Sequence, residues 1–158
     1  MQDSDRRELL CQLPPGTTST DAAAACYHAT QAQWQWVASY RGTPACAAGY
    51  MALTHTTWAV WAFGTHRMRR VMPRFGRFLL SKAPDLIAAG CRRVEARPMK
   101  DNTGPMRWIA SLGGTLVCAL PDAGNDGEDF ELWCWMRTDV LHPESPQDAQ
   151  SRPGSVAR

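Results

Sequence analysis

Residues 33–64 hold three extended apolar runs in immediate succession, and any fold for this chain must pair them. QWQWVASY (33–40) alternates polar with aromatic side chains, RGTP turns the chain, and ACAAGYMAL (45–53) follows. That is a strand, a tight turn and a second strand, hence a hairpin. TTWAVWAFG (56–64) reads as a third strand, apolar enough to lie centrally in a sheet. The character then changes. From THRMRRVMPRFGRFLLSKAPDLIAAG the pattern predicts a helix starting near Pro73, a residue favoured at the first helical position. Phe75, Phe78 and Leu79 form its apolar face, Pro84 kinks or divides it, and Gly90 ends it.

The rest of the chain continues the alternation. TDAAAACYHAT (20–30) reads as a helix ahead of the strands, with Thr20 or Asp21 as its cap. CRRVEARP (91–98) is a strand. DNTGPMRWIASLGGTL (101–116) opens on turn residues, runs through one short apolar helix and stops on Gly113-Gly114. TLVCAL (115–120) and FELWCWMR (130–137) are two more strands, joined by the acidic, glycine-rich PDAGNDGED. Residues 138–158 are polar and proline-rich and are expected to be a disordered tail; residues 1–19 form a polar opening segment. The order predicts an α+β domain over 20–137: a mixed, mostly antiparallel sheet with helices on its faces.

Bulk properties narrow the class. A chain of 158 residues with seven tryptophans supports one domain with a real core. The net charge of +2 is too small to argue for nucleic acid by itself. No apolar run approaches the roughly 20 residues a membrane helix needs, and MQDSDRREL is not a secretory signal. Six cysteines lie singly, without a CxxC pair, which points to free buried thiols in a reducing compartment rather than disulfides or zinc. A cytoplasmic, non-secreted protein with no metal site is expected.

The order of elements, with Asn102 followed ten and eleven residues later by Leu112-Gly113, resembles the GNAT fold of acetyl-CoA-dependent N-acyltransferases. The resemblance covers roughly residues 20–137. It implies that the strands at 58–63 and 91–97 lie side by side and splay at one end to admit a cofactor. A narrower resemblance is to the GNAT-like internal virion protein A family of short-tailed phages, carried by Asn102-Thr103, Arg107-Trp108-Ile109 and Gly113. It implies a virion-associated or assembly role, with other virion proteins as partners, in the virion or the host cytoplasm. On that reading no cofactor is expected. The alternative is an active N-acyltransferase that uses acetyl-CoA through an atypical loop.

The cofactor positions are altered on either reading. In GNAT proteins a loop of the form Arg/Gln-x-x-Gly-x-Gly/Ala holds the cofactor diphosphate. Aligning Leu79-Leu80 with the family's paired leucines puts Val71 at the leading position, Arg74 at the first glycine and Gly76 at the second. Basic residues compensate: His66, Arg67, Arg69, Arg70, Arg74, Arg77 and Lys82 come with no acidic residue between 64 and 83. Arg70, Arg74 and Arg77 fall on one helical face. Arg69, Arg70, Arg74, Gly76, Arg77 and Asn102 are therefore the cofactor-binding candidates. The arginines could equally meet an acidic partner or a nucleic-acid backbone.

Catalytic groups are scarcer. Many GNAT enzymes place a tyrosine seven residues after the asparagine; here that residue is Ile109, beside Trp108. The third strand has no carboxylate, and Glu95 is flanked by Arg93 and Arg97, which favours an ion-paired structural role. His55 and His66 bracket the third strand as candidate bases. Cys91 and Cys118 lack an evident histidine partner.

Overall fold

The computed structural model describes residues 1–136. Its elements run α1 (Asp3–Leu10), α2 (Ser19–Ala29), β1 (Gln35–Tyr40), β2 (Thr43–Ala52), β3 (Thr57–Gly64), α3 (Met68–Leu80), α4 (Ala83–Ala88), β4 (Arg93–Ala96), α5 (Thr103–Ser111), β5 (Thr115–Leu120) and β6 (Phe130–Met136). The strands form one sheet in the order β1-β2-β3-β4-β6-β5. All neighbours are antiparallel except β3 and β4, which run parallel. The expected tail at 138–158 lies outside the described residues.

The hairpin forms where the sequence places it. Its turn is the pair Arg41-Gly42, with φ of 50° and 77°. Positive φ at both central residues gives a two-residue turn whose twist matches the flanking strands, and glycine adopts it without steric penalty. The residues just before β1 form a single 3₁₀ turn, Ala32–Trp34, which tucks Trp34 into the core.

Alternation along the strands gives the sheet one strongly apolar face. Tyr50 of β2, Trp58 of β3, Val94 of β4 and Trp135 of β6 meet Phe75 and Leu79 of α3, Leu86 of α4 and Ile109 of α5 there. The Tyr50 hydroxyl donates to the Leu79 carbonyl at 3.2 Å, so the buried phenol is satisfied and ties α3 to β2.

Three boundaries differ from the sequence reading. First, α3 begins at Met68, five residues before Pro73, which lies inside the helix. Thr65 starts it: its carbonyl accepts from Met68 N at 2.8 Å and its hydroxyl from Arg67 N at 3.2 Å. Met68, Val71 and Met72 then extend the apolar stripe of Phe75 and Leu79 upstream. Burial of that stripe outweighs the hydrogen bond lost at proline. Phe78, 37% exposed, sits at the margin of that stripe: it stacks on the core ring of Phe75 at 6.0 Å and meets the Trp36 ring edge-on at 5.4 Å.

Second, the cap of α2 is Thr18, not Thr20 or Asp21. Thr18 and Asp21 form a reciprocal capping box, with the Asp21 carboxylate accepting from Thr18 N and the Thr18 hydroxyl accepting from Asp21 N. Third, the opening segment contains a helix, α1. Pro84 does divide the basic stretch in two, at the first turn of α4.

Candidate functional site

The ladder between β3 and β4 has three rungs, Thr57–Arg93, Trp58–Val94 and Ala59–Glu95. Beyond Ala59, β3 continues to Gly64 along β2 alone, while β4, paired with β6 throughout, continues past Glu95 along β6 alone. The sheet is therefore split at the C-terminal ends of its two parallel strands, where loops gather ligands in such sheets. The strands expected to adjoin and splay do both.

One lip of the split is Gly64. Its N–H donates to the Asp5 carboxylate at 2.9 Å, and its carbonyl accepts from Gln2 N at 2.7 Å. Both groups thus point away from β2 and into the split. Strand alternation gives Val60 and Ala62 the same orientation. The other lip is Asn102, whose side chain donates to the Glu8 carboxylate at 2.9 Å. Asn102 leads into α5 without capping it through its side chain. Helix α1 accordingly crosses the split from lip to lip. Burial raises the carboxyls of both Asp5 and Glu8 above the usual carboxylate range; the Gly64 and Asn102 hydrogen bonds pull the other way and do not cancel it.

The start of α3 stands beside Gly64. Thr65 N already donates to the Ala45 carbonyl at 2.8 Å, and the Arg67 and Met68 amides are held by Thr65. The positions aligned with the diphosphate loop, 71–76, lie within α3. Gly76 is not a loop glycine. It is buried against α5, where a Cβ would come within 2.9 Å of Trp108 Nε1 and 3.2 Å of both Leu112 methyl carbons. This glycine allows two helices to approach each other. The Trp108 indole N–H there is buried without a partner among the described residues.

Cationic side chains run along α3 from its start to its last turn. Arg69, Arg70, Arg74 and Arg77 are exposed, and with Arg67 they form no ion pair among the described residues. Lys82, by contrast, pairs with Asp85 at 3.7 Å. His66 and Arg67 line an open groove of about 600 Å³ with Gln2, Asp3, Thr43 and Thr65.

The other candidates are dispersed. His55 sits in the turn before β3 and His66 follows its far end, so roughly 25 Å of strand separates them. Only His66 is near the split. Glu95 is held by Arg93 at 2.7 Å and Arg97 at 3.3 Å, a structural triad. Cys91 is buried, its thiol pushed up by desolvation; Cys118 is exposed on the edge strand β5. Ile109 is core. Asp5 and Glu8 are the site carboxylates that strand-based reasoning passes over, because a helix remote in sequence delivers them. Among the described residues there is no metal-binding group of three or more His, Cys, Asp or Glu, and no helix long and apolar enough to cross a membrane.

No protein-family model and no curated protein matches the chain. Solved structures do. The yncA protein of Salmonella typhimurium, solved with its cofactor acetyl-CoA, superposes with a TM-score of 0.64 at 18% identity, over 82% of this chain and 80% of that one. Ard1 from Thermoplasma volcanium gives 0.63 at 15% identity over 86% and 93%. A GNAT-family acetyltransferase from Bacillus anthracis gives 0.63 at 12% identity over 86% and 84%. The chain has the GNAT fold: a split six-stranded mixed sheet with flanking helices in one domain. Nothing in these likenesses speaks for a virion role.

Proposed function

We propose that the chain is an acyl-CoA-dependent N-acyltransferase with an arginine-based diphosphate site. The observation that carries this is the split: β3 presents the Val60 and Ala62 backbone groups to an opening flanked by the cationic start of α3. The two halves of an acyl-CoA meet this site differently. Its amide-bearing arm fits strand-edge N–H and C=O groups, as a short extra strand would. Its diphosphate finds few uncommitted amides at α3, but Arg67, Arg69 and Arg70 offer guanidinium forks suited to phosphate. When bound, the cofactor supplies an acyl group activated as a thioester. We assign to His66, two residues past the Gly64 lip, the acceptance of the proton of an incoming ammonium. Asn102 orders the opposite lip.

Calorimetry with acetyl-CoA tests this. The expected Kd lies between about 1 mM and 1 μM, weakening as salt rises because the clamp is exposed charge. Arg67→Ala/Arg69→Ala should lose at least tenfold, and His66→Ala should lower the rate of acetyl transfer to an amine panel without changing Kd. Absence of both binding and transfer at millimolar acetyl-CoA would overturn the reading.

A second reading is a short-tailed-phage assembly component that meets acidic virion proteins through α3. One observation supports its acidic-partner part: the positions aligned with the diphosphate loop are helical and present Arg70, Arg74 and Arg77 on an exposed face. Arg74→Glu/Arg77→Glu should then abolish incorporation into particles while leaving acetyl-CoA affinity unchanged.

A further inference from the structure

Helix α1 touches the split at both lips, and what holds it there differs from what holds every other helix. On the β3 side, Gln2 N–H and the Asp5 carboxylate take the carbonyl and amide of Gly64, the last strand-edge pair of β3. The Gln2 side chain also reaches Met68 Sδ at 3.9 Å on α3. On the β4 side, the Glu8 carboxylate receives the Asn102 side chain, and Cys11, just past the helix, packs with Met99 and Phe130. No residue within α1 is buried. Away from the split the helix packs on α2, and its far end is tied to Glu128 through Arg7 and to Asn125 through the Leu10 and Cys11 carbonyls. At the split itself its contacts with the lips are polar and directed at groups an incoming ligand would use.

We infer that α1 is a detachable bar across the split: docked, it occupies the Gly64 edge and blocks the opening, and a ligand enters the full length of the β3 edge only when α1 leaves. The inference rests on the proposed acyl-CoA site and adds its regulation. Three features make the bar separable. Its contacts with the lips are hydrogen bonds that water can replace, so release leaves Gly64 and Asn102 solvated rather than orphaned. Its carboxylates are partly desolvated when docked, a penalty that release removes. Its apolar hold is confined to the Cys11 end, so the Gln2–Asp5 end can lift first. Occupancy of the split and docking of α1 are then mutually exclusive, and any factor that captures α1 raises the affinity of the site.

Asp5→Ala/Glu8→Ala removes both side-chain clasps. Acetyl-CoA is titrated calorimetrically into wild type and variant, and amide hydrogen exchange of α1 and Gly64 is followed with and without acetyl-CoA. The variant is expected to bind at least tenfold more tightly. Saturating wild type should accelerate exchange throughout α1 while Gly64 stays protected by the new occupant. Equal affinities, with α1 as protected in the wild-type complex as in the free protein, would overturn the bar and leave the acyl-CoA site standing. If exchange shows α1 open in the variant and neither protein binds, the acyl-CoA reading itself fails. The wild-type exchange measurement holds even should the variant not fold.

Discussion

Helices α1 and α3 meet at the end of β3, where Gln2 reaches Met68, yet they are attached by opposite means. Helix α3 buries Phe75, Gly76 and Leu79 and shares one core with α5 and four strands, whereas α1 has no buried residue and meets the split through hydrogen bonds at Gly64 and Asn102. The first kind of attachment is worth several kilocalories per mole and is insensitive to what occupies the split. The second is small, local and aimed at the split itself. The fold thus keeps its permanent helices on the face of the sheet and its exchangeable one across the opening.

Mutations can break that contrast, beginning with the largest effect. Leu79 is 2% exposed at the centre of the shared core. Leu79→Ala should cost about 2–5 kcal/mol, from the lost transfer energy and the cavity left behind. Denaturant unfolding measures it, and a loss below about 1 kcal/mol would mean that α3 is no more firmly seated than α1. Gly76→Val comes next. Its Cβ would strike the Trp108 ring and both Leu112 methyls, so overpacking of about 1–3 kcal/mol should exceed the gain in helix propensity. Thermal melts and indole fluorescence should both change.

How far these contacts were legible beforehand follows the same contrast. Strands and hairpins announce themselves by alternation, and the Leu79 face of α3 by its helical period. The start of α3 did not, because Pro73 imitates a first-turn proline; the stripe Met68, Val71, Met72 and Phe75 was present upstream but interleaved with arginines. Gly76 falls on a motif position in the alignment and turns out to be a packing glycine, since the sequence does not show that Trp108 faces it. The role of α1 left no trace. Its key bonds join Asp5 to Gly64 and Glu8 to Asn102, and polar contacts over 59 and 94 residues of separation impose no period on either segment. The triad of Glu95 with Arg93 and Arg97 was legible, being local.

Two smaller effects sharpen the comparison. Thr18→Ala removes half of the capping box of α2, the helix against which α1 packs. It should cost about 1 kcal/mol, with exchange in α1 rising before any global loss of stability. The smallest effect is a pH dependence. Asp5 and Glu8 hold their protons to higher pH when docked than when free, burial being the main cause in both, with the charge of Asp5 adding to the Glu8 shift. Docking is therefore favoured at acid pH and weakened as pH rises through the raised carboxyl range. The exchange of α1 amides, corrected for intrinsic rates, should show more protection at pH 4 than at pH 7, while α3 shows no such trend. The reverse order would place the carboxylates in a stabilising role.

The cysteines turn this contrast into a chemical clock. All six are free; Cys118 is exposed on β5, while Cys11 is buried where the end of α1 meets Met99 and Phe130. A thiol-specific alkylating reagent should consume Cys118 at the rate of an open thiol and reach Cys11 only during the moments when that end of the chain lifts. The ratio of the two labelling rates then gives the fraction of time the Cys11 end of the helix stands open, which is full release rather than lifting of the Gln2–Asp5 end alone. It can be read by mass spectrometry in an unmutated protein and in a crude mixture, with Cys118 as its own internal standard.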